Sequence, residues 1–334
     1  MVSGRAESAR SSTHPFPSKW TIGVLAILGA ALIAMPAVFA LFSRAPKGEQ
    51  MIESFRPFMT SKRLTGFKVD IALVNAAVSQ SEHVVVPYLD RAADAGGSGV
   101  VSLDVRHSGF GQFAMQWGQI DAHMNSLLDT VTNNLGNYDA VAALPSFSLF
   151  PWFFVTPGAV LLLLLIAVGL SRRRWTFVRW VLVVLGLGLV LAPVVFQMFQ
   201  RAPKGGHMMT AFKTIETTGN VQTIQGYFGT MAIGQGGIRL ELVPALEASG
   251  LTKTEVESRF PAVASLDNRW VHILNDMTPM IGAMSDNVAN YQAMAALPPF
   301  ALFPYFFVLP GILIAVIAGI AKQRAPSATE PIDP

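Results

Sequence analysis

Cysteine is absent from the 334 residues, which excludes disulfides, zinc–thiolate sites, iron–sulfur clusters and thiol catalysis together. Any part outside the cytoplasm must then be held by packing alone. Charge is scarce as well. Only 13% of residues are charged against 51% hydrophobic, and mean hydropathy is +0.44. So little charge in so long a chain reads as a multi-pass membrane protein rather than a soluble enzyme. The net charge of +3 and pI near 9.3 resemble a nucleic-acid signal. The cationic residues bunch beside apolar runs, however, as basic loops at a cytoplasmic membrane face do.

Signatures of chemistry are missing too. No glycine-rich stretch has the spacing or strand–helix context of a phosphate-binding loop. No nucleophile elbow is present, and Gly97-Ser98-Gly99 reads as a flexible loop. His14, His83, His107, His123, His207 and His272 do not coincide between the two halves of the chain. His272 with Asp276, or Asp121 with His123, lacks the third and fourth ligands that a metal needs. Asp90 and Glu247 occupy matched positions, but each stands alone beside its proline. These observations lead to an expectation of a non-enzymatic protein with no cofactor, no metal and no nucleic-acid partner.

What the chain does have is repetition. NYDAVAALPSFSLFPWFFVTPG at 137–158 returns as NYQAMAALPPFALFPYFFVLPG at 290–311, with 16 of 22 residues identical at an offset of 153. RAPKG at 44–48 recurs at 201–205, an offset of 157. The reading is a tandem duplication. The offset changes within the region holding the 96–99 glycine tract in one copy and 249–252 in the other, where a loop tip tolerates a length change.

Each copy alternates apolar runs with polar helical patterns. The expected fold is all-α, a polytopic membrane protein with four transmembrane helices in two tandem repeats, each repeat carrying a long helical extracytoplasmic bundle. The spans are placed at 20–42, 150–170, 180–199 and 300–321, each long enough to cross a bilayer. Pro36 and Pro193 are expected to kink the first and third spans near their outer ends. The basic loop 171–179 carries Arg172, Arg173, Arg174 and Arg179, and Lys19, Lys322 and Arg324 flank the outer spans. All three signals place both termini inside. That leaves 1–19 and 322–334 as cytoplasmic tails and 43–149 and 200–299 as extracytoplasmic domains. Arginine outnumbers lysine, which with abundant Ala, Gly and Val suggests a high-GC bacterial genome and hence a bacterial cytoplasmic membrane.

Within the extracytoplasmic stretches the periodicity is helical. Phe110, Phe113, Trp117, Ile120, Met124, Leu127, Val131, Leu135 and Tyr138 recur at three- and four-residue steps, and so do Trp270, Ile273, Met277, Met280, Met284, Val288 and Tyr291. Phe67, Ile71, Val74, Val78, Val85 and Leu89 supply a facing stripe. Thr252 and Glu255 form the pattern of a capping box. Each domain is expected to be three helices, and the two hairpins to share one pseudo-symmetric bundle, because a lone three-helix domain buries a modest core.

Candidate contacts follow from position. Arg44, Lys47, Arg201 and Lys204 suit anionic head groups or a partner's carboxylates; equally, RAPKG is a helix junction, with proline in the first turn and glycine easing the corner. Tyr138, Tyr291, Trp152 and Tyr305 belong to the repeated aromatic–proline segment, an interfacial belt or a lipid-contacting element. Trp117, Met124, Trp270, Met277, Met280 and Met284 outline a candidate apolar groove, because methionine adapts to irregular ligands, although the same residues suit an ordinary core. The span interiors lack Asp, Glu, Lys, Arg and His, which argues against a coupled transporter. Gly311, Ala315 and Gly319 suit close helix packing.

The leading functional expectation is a docking, scaffolding or accessory subunit for cell-envelope lipid or wall machinery. Its partners would be membrane lipids and a membrane protein or a second copy. The alternatives are a module that binds lipid or another apolar ligand in a groove between ectodomain helices, and an oligomeric channel or porter.

Overall fold

The computed structural model describes residues 18–95, 108–170 and 174–320. Residues 1–17, the glycine tract at 96–99, His107, Arg172, Arg173 and the tail with Lys322 and Arg324 lie outside the described residues. Among those described the chain is helical, with no strand. Four helices are long and apolar enough to cross a membrane: Lys19–Val38, Phe147–Leu170, Trp175–Val195 and Phe300–Ile320. The chain divides into two compact units, one made of 1–46, 144–203 and 297–334, the other of 47–143 and 204–296.

The apolar unit contains α1 (Lys19–Val38), α7 (Phe150–Leu170), α8 (Trp175–Val195) and α14 (Phe303–Ile320). Helix α1 packs chiefly on α7, and α8 on α14. Glycine makes both pairings possible. A Cβ placed at Gly158 would lie 2.8 Å from the Gly29 carbonyl oxygen, and one at Gly186 would lie 2.6 Å from that of Gly311. Gly29 and Gly186 stand 157 positions apart and Gly158 and Gly311 stand 153 apart, so sequence-matched positions make the same backbone approach. Without a hydrophobic drive between helices in lipid, such close packing is what holds spans together. Ala315 joins the Gly186 contact, whereas Gly319 faces open space.

Three boundaries differ from the sequence reading. The first span ends at Val38, not 42, because Ala40 takes a left-handed backbone conformation (φ 52°). Gln197, 157 positions on, does the same after α8 (φ 54°). For a non-glycine residue this costs about 1 kcal/mol, and it forms the corner. Helices α2 (Leu41–Phe55) and α9 (Met198–Ala211) start directly afterwards. RAPKG therefore lies inside a helix rather than at the junction, with Pro46 and Pro203 in helix interiors. Finally, α8 starts at Trp175, not 180, since Trp175 and Val178 extend its buried stripe. Arg179 thereby falls within α8, and its guanidinium donates to the Gly319 carbonyl at 2.6 Å. That bond satisfies one of the carbonyls orphaned at the end of α14.

The second unit is a bundle of α3 (Ser61–Gln80), α5 (Gly109–Asn133), α10 (Thr218–Gly237) and α13 (Pro261–Ala295). The shorter α4 (Val86–Asp94), α6 (Leu135–Ala142), α11 (Val243–Ala248) and α12 (Lys253–Arg259) complete it. Helices α3 and α10 each pack against both α5 and α13, and residues of segments 47–143 and 204–296 share one core. Thr60 and Thr217 cap α3 and α10 identically, and Thr252 with Glu255 closes a capping box on α12. Segments 47–143 and 204–296 also cap each other. Gln80 Oε1 accepts from the Ala262 and Val263 amides opening α13, and Glu241 accepts from the Gly109 amide opening α5. Single π-turns at Ser81–Val85 and Ile238–Leu242 precede Pro87 and Pro244. The wider turn accommodates a proline ring that would clash with the carbonyl four residues back.

Candidate functional site

Within the bundle, α2, α9, α5 and α13 enclose a cavity of about 50 Å³. Its walls come in matched pairs: Met51/Met208, Ile52/Met209, Phe55/Phe212, Phe58/Ile215 and Met59/Glu216 at an offset of 157, and Leu127/Met280, Val131/Met284 and Tyr138/Tyr291 at 153. Leu64 completes the seventeen. Fourteen of these are purely apolar, and six of the chain's 14 methionines are among them. The pairing places the cavity where sequence-matched segments of the bundle face each other.

One pair breaks the match in charge. Glu216, in the turn after α9, is 5% exposed, and its Oε2 has no hydrogen-bond partner. Burial pushes its carboxyl up to about 8, because an apolar surround disfavours the charged form. The other titratable groups lining the cavity are Tyr138 and Tyr291. Tyr138 donates its hydroxyl proton to the Ile52 carbonyl at 2.7 Å and Tyr291 to that of Met209 at 2.5 Å. Burial raises both phenols above their usual range, and the nearby Glu216 adds to the effect at Tyr291. Each hydroxyl has spent its proton on the main chain and retains only acceptor capacity.

The structure distributes the sequence candidates unevenly. Met280, Met284, Tyr138 and Tyr291 line the cavity, whereas Trp117, Met124, Trp270 and Met277 are buried in the shared core away from its walls. Trp117 Nε1 donates to Asn75 Oδ1 at 3.2 Å. The matched Trp270 Nε1 has no partner, since Ala232 stands where Asn75 does. Arg44 donates to the Phe39 carbonyl at 3.3 Å, a local helix contact. Arg201 and Lys47 are half-buried and Lys204 is exposed. Trp152 and Tyr305 lie on the surface of the apolar unit, edge-on to Phe42 and Phe199 respectively, again a matched pair of contacts. Glu216 and the ten other lining residues between 51 and 64 and between 208 and 215 were not singled out by sequence. The readable signal was an acid at 216 opposite a methionine at 59, at the offset of 157 that RAPKG sets.

A second polar feature lies between α3 and α13. Arg269 pairs with the buried Asp70 at 2.8 Å, and Arg63 with Asp276 at 3.0 Å, His272 standing 3.5 Å from the same carboxylate. Burial raises the Asp70 carboxyl and Arg269 pulls it back. At the matched place between α10 and α5 the positions hold Tyr227 and His123, which share a 2.9 Å hydrogen bond. His123 and His272 thus sit in two equivalent seams. Among the described residues no three of His, Asp and Glu converge as metal ligands.

Fold and cavity together define an all-helical membrane protein with a helical bundle enclosing an apolar space. No family model, curated protein or solved structure matches the chain.

Proposed function

We propose that this is a non-enzymatic protein of a bacterial cytoplasmic membrane whose duplicated, extracytoplasmic helical bundle binds an apolar ligand of the lipid class. The cavity carries the reading: a concave, nearly wholly apolar space with a single unpaired polar atom, walled by six methionines. Sites of this composition take apolar ligands, and unbranched thioether side chains repack around guests of different shape. A volume of about 50 Å³ admits a short apolar group at rest, and a longer chain enters as the methionines swing aside. The arginine-rich stretch between the second and third spans supports cytoplasmic termini, with the bundle on the opposite side. The recurring sequence supports duplication.

The test is extraction of the full chain in fragments of its own membrane, with mass spectrometry of whatever accompanies it. A parallel sample carries Val131→Phe, which fills the cavity. An apolar molecule bound to the native chain and lost from the variant supports the reading. A stoichiometric membrane protein retained by both, with no bound small molecule, overturns it in favour of a docking subunit.

A further inference from the structure

Apart from the Glu216 carboxyl, which burial keeps protonated, the cavity presents acceptors and no donor. Its tyrosine hydroxyls are committed to main-chain carbonyls, Glu216 Oε2 has no partner, and no Lys, Arg or His lines the walls. Met59, at the matched position, fills equivalent space with no polar oxygen, so packing alone does not call for a carboxyl here. Ligand heads sort accordingly. With Glu216 neutral, a carboxylate or phosphate would still be a buried anion with no cation in the walls to offset it, and a hydrocarbon would leave Oε2 unpaired in a low-dielectric space, where an unpaired acceptor is costly. An ammonium supplies both donors and opposite charge.

Resting on the ligand-binding reading above, we propose that the cavity takes an apolar primary amine, its ammonium paired with the Glu216 carboxylate and its hydrocarbon part lodged among the methionines. The burial that keeps the empty carboxyl protonated leaves the unliganded site neutral. On binding near pH 6.5 the Glu216 proton passes to the buffer and the amine keeps its three. One proton is released per ligand, and the pair is neutral overall. Glu216 therefore selects the head group while the walls accept many tails.

The experiment uses the full chain in detergent with methyl-labelled methionine and carboxyl-labelled glutamate, titrated by n-butylamine and by n-butanol as its neutral match. In the native protein, butylamine should shift the cavity methionine methyls and move the Glu216 carboxyl resonance from the acid to the carboxylate position at pH 6.5. Glu216→Gln and Glu216→Met should each weaken butylamine by about ten- to a hundredfold, with butanol changed by less. Equal binding of amine and alcohol to native and variant proteins overturns the head-group assignment while leaving an apolar site. Absence of methyl shifts with either probe overturns the apolar site as well.

Discussion

Replacing Glu216 by Gln or Met should stabilise the bundle, by an amount that grows with pH. In the folded chain the carboxyl titrates at about 8 against 4.5 for an unburied glutamate. Below pH 4.5 both states hold the proton and Glu216 contributes nothing to pH dependence. Between pH 4.5 and 8 the unfolded chain has lost the proton while the folded chain keeps it, so the folded state binds more protons and stability falls as pH rises. Above 8 the loss is complete and constant. Each pH unit in the window is worth about 1.4 kcal/mol, which makes the deficit roughly 3 kcal/mol at pH 7 and under about 1 kcal/mol at pH 5. Glutamine keeps polar atoms in the site and methionine restores the residue of position 59, but neither titrates. The assay is thermal unfolding of native and variant proteins in the same detergent from pH 4.5 to 8.5. The variants' advantage should widen to about ten degrees by pH 7, at a few degrees per kcal/mol for a unit of this size. Parallel melting curves across the range would refute the assignment of a buried, protonated Glu216.

Gly186→Ala should loosen the α8–α14 pair by about 1–3 kcal/mol, because the new Cβ meets backbone atoms of Gly311 and Ala315 rather than mobile side chains; cysteine cross-linking between the two helices would report it, and undiminished cross-linking would count against the contact. Ala232→Asn should add about 1 kcal/mol by giving Trp270 Nε1 the acceptor that Asn75 gives Trp117, read as a higher melting temperature that Trp270→Phe abolishes. Tyr291→Phe, removing the bond to the Met209 carbonyl, should lower stability by about 1 kcal/mol, and unchanged melting would show that the bond contributes nothing net. Arg269→Ala leaves the 4%-exposed Asp70 without its close cation and should destabilise more at pH 8 than at pH 4, where the carboxyl can protonate; a pH-independent loss would argue that packing, not charge, is what Arg269 supplies.

The spans were legible because twenty apolar residues in a row have few other outcomes, and the helix seams because Phe110 to Tyr138 and Trp270 to Tyr291 keep a helical step throughout. Corners were not. Ala40 and Gln197 carry no turn chemistry, and their left-handed backbone is imposed by what they join; proline and glycine in RAPKG drew attention to a segment that is simply helix. Groove and core were inseparable for a related reason. Trp117, Met124, Trp270 and Met277 share a periodicity with Met280 and Met284, and only three-dimensional packing decides which faces a void. Cross-copy capping by Gln80 and Glu241 is a long-range contact without local signature.

The two halves of the chain differ in a way that bears on the cavity. The apolar unit repeats its glycine pairs, its corner residues and the aromatic pairs Phe42–Trp152 and Phe199–Tyr305. The bundle departs from the match at polar positions. In the α3–α13 seam each buried or half-buried acid has a cation within 3.0 Å, so desolvation is offset by a partner. At the cavity Glu216 has none, and the matched methionine shows that a stable alternative fits the same wall. A group that weakens the fold by roughly 3 kcal/mol at neutral pH, in a site otherwise lined by thioethers, hydrocarbon and two tyrosines, is what the proposed ammonium ligand would account for. On the proposal above, one half would supply the apolar wall and the other would add the single charge-bearing group, so that a ligand would be held in one orientation.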